Sequence, residues 1–351
     1  MIDDFEKILV VTHDAGGAEV LAAMMVTEQA RHHFQVATRH GAPAEAIMRR
    51  QGFDGRLSLI DDTSKLRKRL PDFTPDLLIA GTGWTGYENE WIQAAKAEGI
   101  PTIAVLEHWT SYNVRFGAKQ SKDWRRNLPD LIAVTDNHGW RLAKEAGFKP
   151  LSRLRNYYLY DLANRFRRRA TTTNNGTLLL VSECHSEFCE RTYGRPDHFG
   201  FTEVQAFDDL LSQWQRLSEM WKVRRVVIRL HPADTKGKYD QLPARYPHVP
   251  LVVESPDEKE LLAALHCAQV VIGMNTMALA VARVMDIPVL SYIPEGDASA
   301  LVLRGVQRVR SIAELLNIDI YSASKDKAQS LDIFSEYTLV KLLADLKKIT
   351  I

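Results

Sequence analysis

Short β-branched runs alternate with helical segments along most of the chain, and this alternation restricts its fold more than any other feature. The pattern begins with the run ILVVT at residues 8–12, followed by the glycines of DAGGA and a predicted helix over 19–33. Parallel strands need a long crossover of this kind, whereas antiparallel strands need only a short turn. The alternation therefore predicts an α/β protein built from parallel βαβ units.

Two such series are predicted, separated by the polar segment NRFRRRATTTNNG at residues 164–176. The predicted strands are 8–12, 35–38, 77–80, 102–106 and 131–134, then 177–181, 225–230, 251–253, 270–272 and 288–291. Helices are predicted in the second series at 203–220, 258–266 and 277–285, and after it at 334–349. Because the polar segment has few apolar side chains to bury, it is interpreted as a linker.

The expected fold is two facing Rossmann-like domains with a cleft between them. The expected boundaries are an N-terminal domain at 1–165, a linker at 166–176, a C-terminal domain at 177–333 and a C-terminal helix at 334–351. In open α/β sheets ligands bind beyond the carboxyl ends of the strands. Residues that directly follow each predicted strand are therefore the candidate site residues.

Composition excludes several classes of protein. The 351 residues include 45 Lys and Arg against 44 Asp and Glu, so no wide cationic surface for nucleic acid is expected. Three cysteines are too few for a disulfide framework, and no apolar run reaches the ~18 residues of a membrane span. We expect a cytoplasmic protein, whose arginine-rich stretch at 165–169 allows peripheral contact with the inner membrane.

In the second domain, His231-Pro232 ends a predicted strand that carries Arg229. Proline stops the strand and holds the preceding histidine extended. An imidazole and a guanidinium at this position suit a phosphate, and a histidine that merely ends a strand is the alternative.

A second phosphate-binding element is predicted within VVIGMNTMALAVARVMDIPVLSY, at residues 270–292. Asn275 and Thr276 precede a helix, where such residues cap the helix and where free N–H groups bind anions. The predicted phosphate-binding residues are Arg229, His231, Asn275 and Thr276. The predicted nucleotide- or sugar-binding residues are Ser182, Glu183, Glu254, Gly273 and Met274.

In the first domain, THDAGGAE places His13 and Asp14 at the tip of the first strand. Asp14 can act as a general base, with His13 positioning it or sharing the task, and an aspartate that caps the next helix is the alternative. The glycines Gly16 and Gly17 permit close approach of a ligand to the backbone. The GxGxxG fingerprint is missing, which disfavours a nicotinamide dehydrogenase.

The segment LEHWTSYNVRFG at 106–117 also follows a predicted strand, and its Glu107 and His108 are rival bases. Aromatic rings suit the apolar face of a sugar, and an arginine suits a carboxylate. Packing inside the protein is the alternative role for these aromatic rings. The predicted acceptor-binding residues are Gly16, Gly17, Trp84, Trp109, Tyr112 and Arg115. No metal is expected, because Cys184, His185 and Cys189 lack the pair spacing of a zinc site.

RLHP and GMNTMALAVARVMDIPVLSY resemble GT-B glycosyltransferases, and EHWTSYNVRF, VSECHSE and GFTEVQAF resemble bacterial surface-polysaccharide biosynthesis proteins. The closest likeness is to sialyl- and Kdo-transferases that use CMP-sugars. By this resemblance His231 is the phosphate-binding histidine and Thr276 lies in the Ser/Thr phosphate loop, where Asn275 replaces one of the usual hydroxyls. Asp14 lies where inverting members carry their base.

The resemblance implies a metal-independent, inverting glycosyltransferase without a cofactor. Its donor would be a nucleotide sugar, with CMP favoured and UDP possible, and its acceptor a glycan of a capsule or lipopolysaccharide. A polysaccharide assembly complex is a further expected partner.

Two other functions fit the same two-domain arrangement. A nucleotide-sugar 2-epimerase or hydrolase needs no acceptor, and a non-catalytic scaffold would only bind the nucleotide sugar.

Overall fold

The computed structural model describes residues 5–62, 73–119, 121–168, 175–294, 306–321 and 332–350. The chain divides into two compact units. The first comprises Met1–Asp161 together with Asp332–Ile351, and the second comprises Leu162–Leu331.

The first unit is built on one parallel sheet. Its strands are β1 (Lys7–Val11), β2 (His33–Thr38), β3 (Leu57–Leu59), β4 (Leu77–Ala80), β5 (Thr102–Leu106), β6 (Leu131–Val134) and β7 (Leu151–Arg153). Its helices are α1 (Ala15–Glu28), α2 (Pro43–Arg50), α3 (Tyr87–Ala97), α4 (Tyr112–Arg115), α5 (Asn137–Glu145) and α6 (Tyr157–Arg168), the last of which continues into the second unit. The seven strands lie in the order β3-β2-β1-β4-β5-β6-β7.

The second unit repeats this topology with six strands. They are β8 (Thr177–Val181), β9 (Arg225–Arg229), β10 (Leu251–Glu254), β11 (Ala268–Gly273), β12 (Val289–Tyr292) and β13 (Gln307–Val309), in the order β10-β9-β8-β11-β12-β13. The helices are α7 (His185–Tyr193), α8 (Glu203–Ser212), α9 (Trp214–Trp221), α10 (Gln241–Arg245), α11 (Leu261–Cys267), α12 (Met277–Val284) and α13 (Ile312–Leu315). The prediction of two Rossmann-like, parallel-sheet domains is confirmed.

The first sheet has a separate apolar core on each face. In β1, Ile8 and Val10 pack into one core, while Leu9 and Val11 pack into the other. Successive side chains of a strand point to opposite faces, so a strand covered on both faces reads as a continuous apolar run. This burial explains why β4, β5 and β6 contain almost only apolar residues.

The C-terminal helix α14 (Leu339–Thr350) is part of the first unit. Its buried residues at helical spacing are Leu339, Leu342, Leu343 and Leu346, and they join the core that contains Ile8. Ser152 Oγ also donates to Asp345 Oδ2 at 2.6 Å. The helix predicted at 334–349 therefore completes the first sheet's packing after the chain has left the second unit.

Some predicted elements differ in length from those observed. The helix predicted at 203–220 is divided at Gln213 into α8 and α9, because the backbone at Gln213 leaves helical geometry, with φ −102° and ψ 13°. Helix α6 extends into the expected linker as far as Arg168, and the ring of Phe166 stacks on His266 at a centroid distance of 4.2 Å. The rest of that linker up to residue 174, including Arg169, lies outside the described residues.

Across the described ranges, the helices are too short or too polar to cross a bilayer. The predicted peripheral contact of the arginine-rich stretch with a membrane stays a prediction.

Candidate functional site

The second unit contains a cavity of about 210 Å³ beyond the carboxyl ends of β8 and β9. The strand order reverses between β8 and β11, which is the position where open α/β sheets bind ligands. Among the residues predicted from sequence, the cavity wall contains Ser182, Arg229, His231 and Thr276. The structure thus brings together residues from three separate strand ends.

His231 has a defined orientation at this cavity. Its backbone N–H donates to Asp234 Oδ2 at 2.7 Å, and its Nδ1 accepts a hydrogen bond from the Ala233 N–H at 3.1 Å. Burial lowers the pKa of His231, which favours the neutral form of the ring. With Nδ1 acting as an acceptor, the ring proton resides on Nε2, and Nε2–H is the group available as a hydrogen-bond donor.

The start of α12 is capped and its preceding loop is already bonded. Thr276 Oγ1 accepts from the Ala278 N–H at 3.3 Å, as expected of a helix cap. Glu183 Oε1 accepts from the backbone N–H groups of Met274, at 3.1 Å, and of Asn275. The loop amides of Met274 and Asn275 therefore bind a carboxylate of the protein, and Thr276 is the loop residue that borders the cavity.

Burial raises the pKa of Glu183 to about 7, against the opposing effect of the Asn275 N–H. Arg229 is likewise paired, because its Nη1 donates to Glu254 Oε1 at 3.0 Å. Both carboxylates predicted to contact the nucleotide or sugar thus hold parts of the protein.

Glycine is needed at position 273, at the end of β11, because close packing leaves no room for a side chain there. A methyl group there would lie 2.7 Å from Val181 Cγ2 and 2.9 Å from Thr276 Cγ2. We expect Gly273→Ala to lower the free energy of unfolding by about 1–3 kcal/mol, as overpacked sites do. Urea denaturation would measure this. The matched control is Gly55→Ala, where a methyl group meets nothing within 4 Å. Equal midpoints for the two variants would contradict the prediction.

A buried lysine that sequence reasoning missed connects the loops around the cavity. Lys238 Nζ donates to the Glu183 carbonyl at 2.7 Å, to Glu187 Oε2 at 2.9 Å and to Asp234 Oδ1 at 2.9 Å, and lies 3.3 Å from Glu203 Oε1. Burial on its own would lower the pKa of Lys238, but the carboxylates outweigh it and the pKa is raised. Lys238 therefore holds Asp234, which in turn holds His231.

In the first unit, the polar residues after β1, β4 and β5 form a second cluster. His13 Nδ1 lies 2.9 Å from Glu88 Oε1, and His13 Nε2 lies 3.1 Å from Asp14 Oδ1. Thr82 Oγ1 donates to Glu107 Oε2 at 3.1 Å. Sequence reasoning had placed His13, Asp14 and Glu107 at strand ends, but it missed Glu88, which the loop GTGWTGYENE supplies from the first turn of α3.

Glu107 is a second buried carboxyl group of this cluster besides Glu88, and it is 5% exposed. Burial raises its pKa to about 7, while Arg115 and the Thr82 hydroxyl lower it. A methyl group added at Gly16 or Gly17 would lie 3.7 or 3.5 Å from Glu107 Oε1. Both distances are ordinary van der Waals contacts, and the tighter contact of a methyl group at Gly17 would be with Thr12 Oγ1 at 3.1 Å.

Arg115 is fixed by its own unit. Its Nε donates to the Thr110 carbonyl at 3.1 Å, its Nη1 donates to the Thr82 carbonyl, and its guanidinium lies 4.6 Å from the centroid of the Trp84 ring. Trp84 is 46% exposed, so its outer face is open to solvent. Nε and Nη1 bind backbone carbonyls, whereas the buried Nη2 has no hydrogen-bond partner among the described residues, so the bidentate contact predicted from sequence stays a prediction.

Two predicted site residues, Trp109 and Tyr112, make packing contacts within the first unit. Trp109 Nε1 donates to the Asp136 carboxylate at 2.9 Å, and Tyr112 packs edge-on against Phe148 at 6.1 Å. Both aromatic side chains are buried. Burial, together with the charge of Arg115, lowers the pKa of His108 to about 4, which makes it a weak base at neutral pH.

Comparison with solved structures shows which fold this arrangement belongs to. The UDP-GlcNAc 2-epimerase from Neisseria meningitidis is 13% identical with a TM-score of 0.66, and the alignment covers 97% of this chain and 99% of that one. A putative UDP-N-acetylglucosamine 2-epimerase from Listeria monocytogenes is 12% identical with a TM-score of 0.67, at 98% and 96% coverage. MurG of Acinetobacter baumannii is 11% identical with a TM-score of 0.53, at 89% and 89% coverage.

The chain has the GT-B fold. No protein-family model matches the sequence, and no curated protein matches it. The predicted glycosyltransferase activity is contradicted by the comparisons, because the similar structures over nearly the whole chain include several UDP-GlcNAc 2-epimerases. These agree with the alternative function, a nucleotide-sugar 2-epimerase. Short motifs such as RLHP lie on a fold that hosts several different reactions, so they do not identify the activity.

Proposed function

We propose that the protein binds a nucleotide sugar and converts it without a glycan acceptor, either as a 2-epimerase or as a hydrolase that uses water. The observation that carries this proposal is the cavity at the switch point of the second sheet, with the neutral His231 and the capping Thr276 in its wall. The similarity in fold to UDP-GlcNAc 2-epimerases supports it.

In this proposal the second unit binds the phosphates. His231 Nε2–H and the hydroxyls of Ser182 and Thr276 donate to phosphate oxygens, and Arg229 supplies positive charge. Negative charge develops on the phosphate when the bond from sugar to nucleotide breaks, so donors placed there stabilise the transition state.

The first unit supplies groups that move protons. Inversion at carbon 2 requires removal of a proton from one face and its return to the other, and hydrolysis requires a base for water. Glu107, with its pKa near 7, has both protonation states available at neutral pH. Asp14 is a second carboxylate, 32% exposed.

The nucleotide itself is best identified by thermal stabilisation, because a ligand that binds only the folded state raises the apparent stability. We propose UDP, since the proteins of similar structure are described with UDP-GlcNAc or UDP. The preference for CMP predicted from sequence stays a prediction, and the same screen tests it.

The deciding experiment incubates the protein with UDP-GlcNAc alone and follows the sugar by NMR. We expect the 2-epimer, or free sugar with UDP, to form at a catalytic rate. We expect His231→Ala to weaken UDP binding by about ten- to a hundredfold, as loss of a hydrogen bond to a charged group does. His248→Ala, at an exposed histidine of the same unit, is the matched control.

Each other outcome is informative. Binding of the nucleotide sugar without any turnover would favour a scaffold, and no binding of any nucleotide would refute the proposal. Equal UDP affinity in His231→Ala and His248→Ala would remove His231 from the phosphate site.

A further inference from the structure

His13 is held by bonds to both of its ring nitrogens. On one side, Nδ1 lies 2.9 and 3.1 Å from the two oxygens of Glu88, and on the other, Nε2 lies 2.9 Å from Thr85 Oγ1 and 3.1 Å from Asp14 Oδ1. The side chains of His13 and Glu88 are only 8% and 3% exposed. The ring is therefore oriented before any ligand binds.

Glu88 binds more than the ring. Its Oε1 also accepts the backbone N–H of His13 at 3.0 Å, so one carboxylate holds the main chain and the side chain of the same residue. A methyl group at Gly83 would lie 2.7 Å from Glu88 Oε2, so the loop after β4 passes closely over the pair. The position of Glu88 is thus determined from several sides.

The bonds continue outward from His13 to Asp14. Asp14 Oδ1 meets His13 Nε2, and Asp14 Oδ2 accepts the backbone N–H of Trp84 at 3.0 Å. The side chain of Asp14 is 32% exposed, whereas those of His13 and Glu88 are buried. Asp14 is therefore the accessible end of a buried chain of three ionisable side chains.

The charges around His13 favour its cationic form. Burial lowers the pKa of His13 and so does Arg39, but the hydrogen bond and charge of Glu88, with the charge of Asp14, raise it further, and the net pKa is raised. A doubly protonated ring donates from both nitrogens, which matches the acceptors on both sides. A buried pair of this kind is weak evidence for stability, because desolvation of both charges offsets their attraction.

We propose that Glu88 is a positioning residue that acts through His13: it keeps the imidazole protonated, and the imidazolium holds Asp14 as an oriented carboxylate. The inference rests on the proposed function in one respect, that Asp14 is the carboxylate that contacts the sugar. It assigns His13 the role of a cationic support and not of a base.

The test compares Glu88→Gln with the wild-type protein. Glutamine keeps an oxygen for the His13 backbone N–H but removes the charge. NMR titration of the His13 ring, assigned with a His13→Gln spectrum, should show that His13 in the variant loses its proton at a lower pH than in the wild type. For turnover we expect kcat to fall about ten- to a hundredfold with KM within about threefold, and Glu88→Asp to restore part of kcat and of the pH profile.

The matched control is Glu145→Gln, at an exposed glutamate of the same unit. It should leave both the His13 titration and kcat unchanged. The wild-type protein alone also tests the proposal, since at pH 6.5 an ordinary histidine is half protonated whereas His13 should be mainly protonated.

The titration needs no turnover, so its result is separate from the fate of the proposed function. An unchanged His13 titration in a folded Glu88→Gln protein, or a mainly neutral His13 at pH 6.5 in the wild type, overturns the role of Glu88. Absence of turnover in the wild type together with the expected titration would overturn only the proposed function.

Discussion

Lys238→Met is expected to lower the free energy of unfolding by about 3–5 kcal/mol, the range found when one partner of a buried ion pair is removed. The side chains of Glu203 and Asp234 are 0% and 1% exposed, and Lys238 Nζ forms an ion pair with both carboxylates. Methionine fills similar space but leaves the carboxylates buried without their cation. Urea denaturation followed by circular dichroism would measure the loss.

The loss should depend on pH in a defined direction. The pKa of Glu187 is lowered in the folded protein, because its bond to Lys238 outweighs the effect of burial. A carboxyl group with a lowered pKa contributes stability above its ordinary pKa and loses that contribution as the pH falls. The difference between Lys238→Met and wild type should therefore be largest near pH 7 and should shrink as the pH approaches about 4.

Lys236→Met provides the matched control, because Lys236 is an exposed lysine on the same loop. We expect it to change the free energy of unfolding by less than about 0.5 kcal/mol, as surface substitutions do. If Lys238→Met lost no more stability than Lys236→Met, the ion pairs of Lys238 would not contribute to holding the loops together. Reduced UDP affinity in Lys238→Met under native conditions would additionally show that the cluster positions His231.

Burial explains which strands could be predicted from sequence. The ranges predicted for β4, β5, β6 and β8 agree with the observed strands, because each is an apolar run bounded by polar or glycine residues. The short strands β3, β7 and β13 were missed, and each has only three residues and lies at the edge of its sheet. An edge strand buries fewer side chains and so leaves a weaker pattern.

The candidate site could be predicted only as far as strand ends locate it. His13, Glu107 and His231 follow strands directly, and the rule that ligands bind beyond strand ends applies to them. Glu88 lies 75 residues from His13, and Lys238 lies 55 residues from Glu183 although only four from Asp234. Nothing in the local sequence indicates the distant partners, because tertiary folding alone brings them together.

The activity was mispredicted for a related physical reason. The HP dipeptide and the Asn-Thr helix cap were interpreted as phosphate-binding elements, and different reactions of nucleotide sugars share the need to bind a phosphate. The protonation of a group that acts on the sugar depends on burial, which the sequence does not show. The pKa of Glu107, raised by burial, is an example of a property that the sequence does not show.

Glu107→Gln is expected to lower kcat by about 10²–10⁴-fold, the usual contribution of a general acid or base, with UDP affinity unchanged. The same change should stabilise the protein at pH 8. Burial raises the pKa of Glu107 from 4.5 to about 7. A carboxyl group with a raised pKa leaves stability unaffected below its ordinary pKa, and it reduces stability as the pH rises from about 4.5 to 7.

Glutamine cannot ionise, so the variant avoids this reduction. One unit of difference in pKa between the folded and unfolded protein corresponds to about 1.4 kcal/mol. Part of the stability gained is offset because Arg115 loses a nearby negative charge. We therefore expect a stabilisation on the order of 2 kcal/mol at pH 8 and none at pH 4. Urea denaturation at both pH values and NMR of UDP-GlcNAc turnover measure the two effects. The control is Glu145→Gln, whose side chain is 62% exposed and should change neither quantity.

Opposite signs in the two measurements distinguish a proton-transfer group from a structural one. A carboxylate that only supported the fold would lower both stability and activity when replaced. A carboxyl group whose pKa burial raises to near 7 is suited to proton transfer, but it destabilises the fold at high pH. Its removal therefore raises stability while turnover falls. Full turnover in Glu107→Gln would assign the proton transfer to Asp14, and equal stability of the variant and the wild type at pH 8 would show that the pKa of Glu107 is not raised.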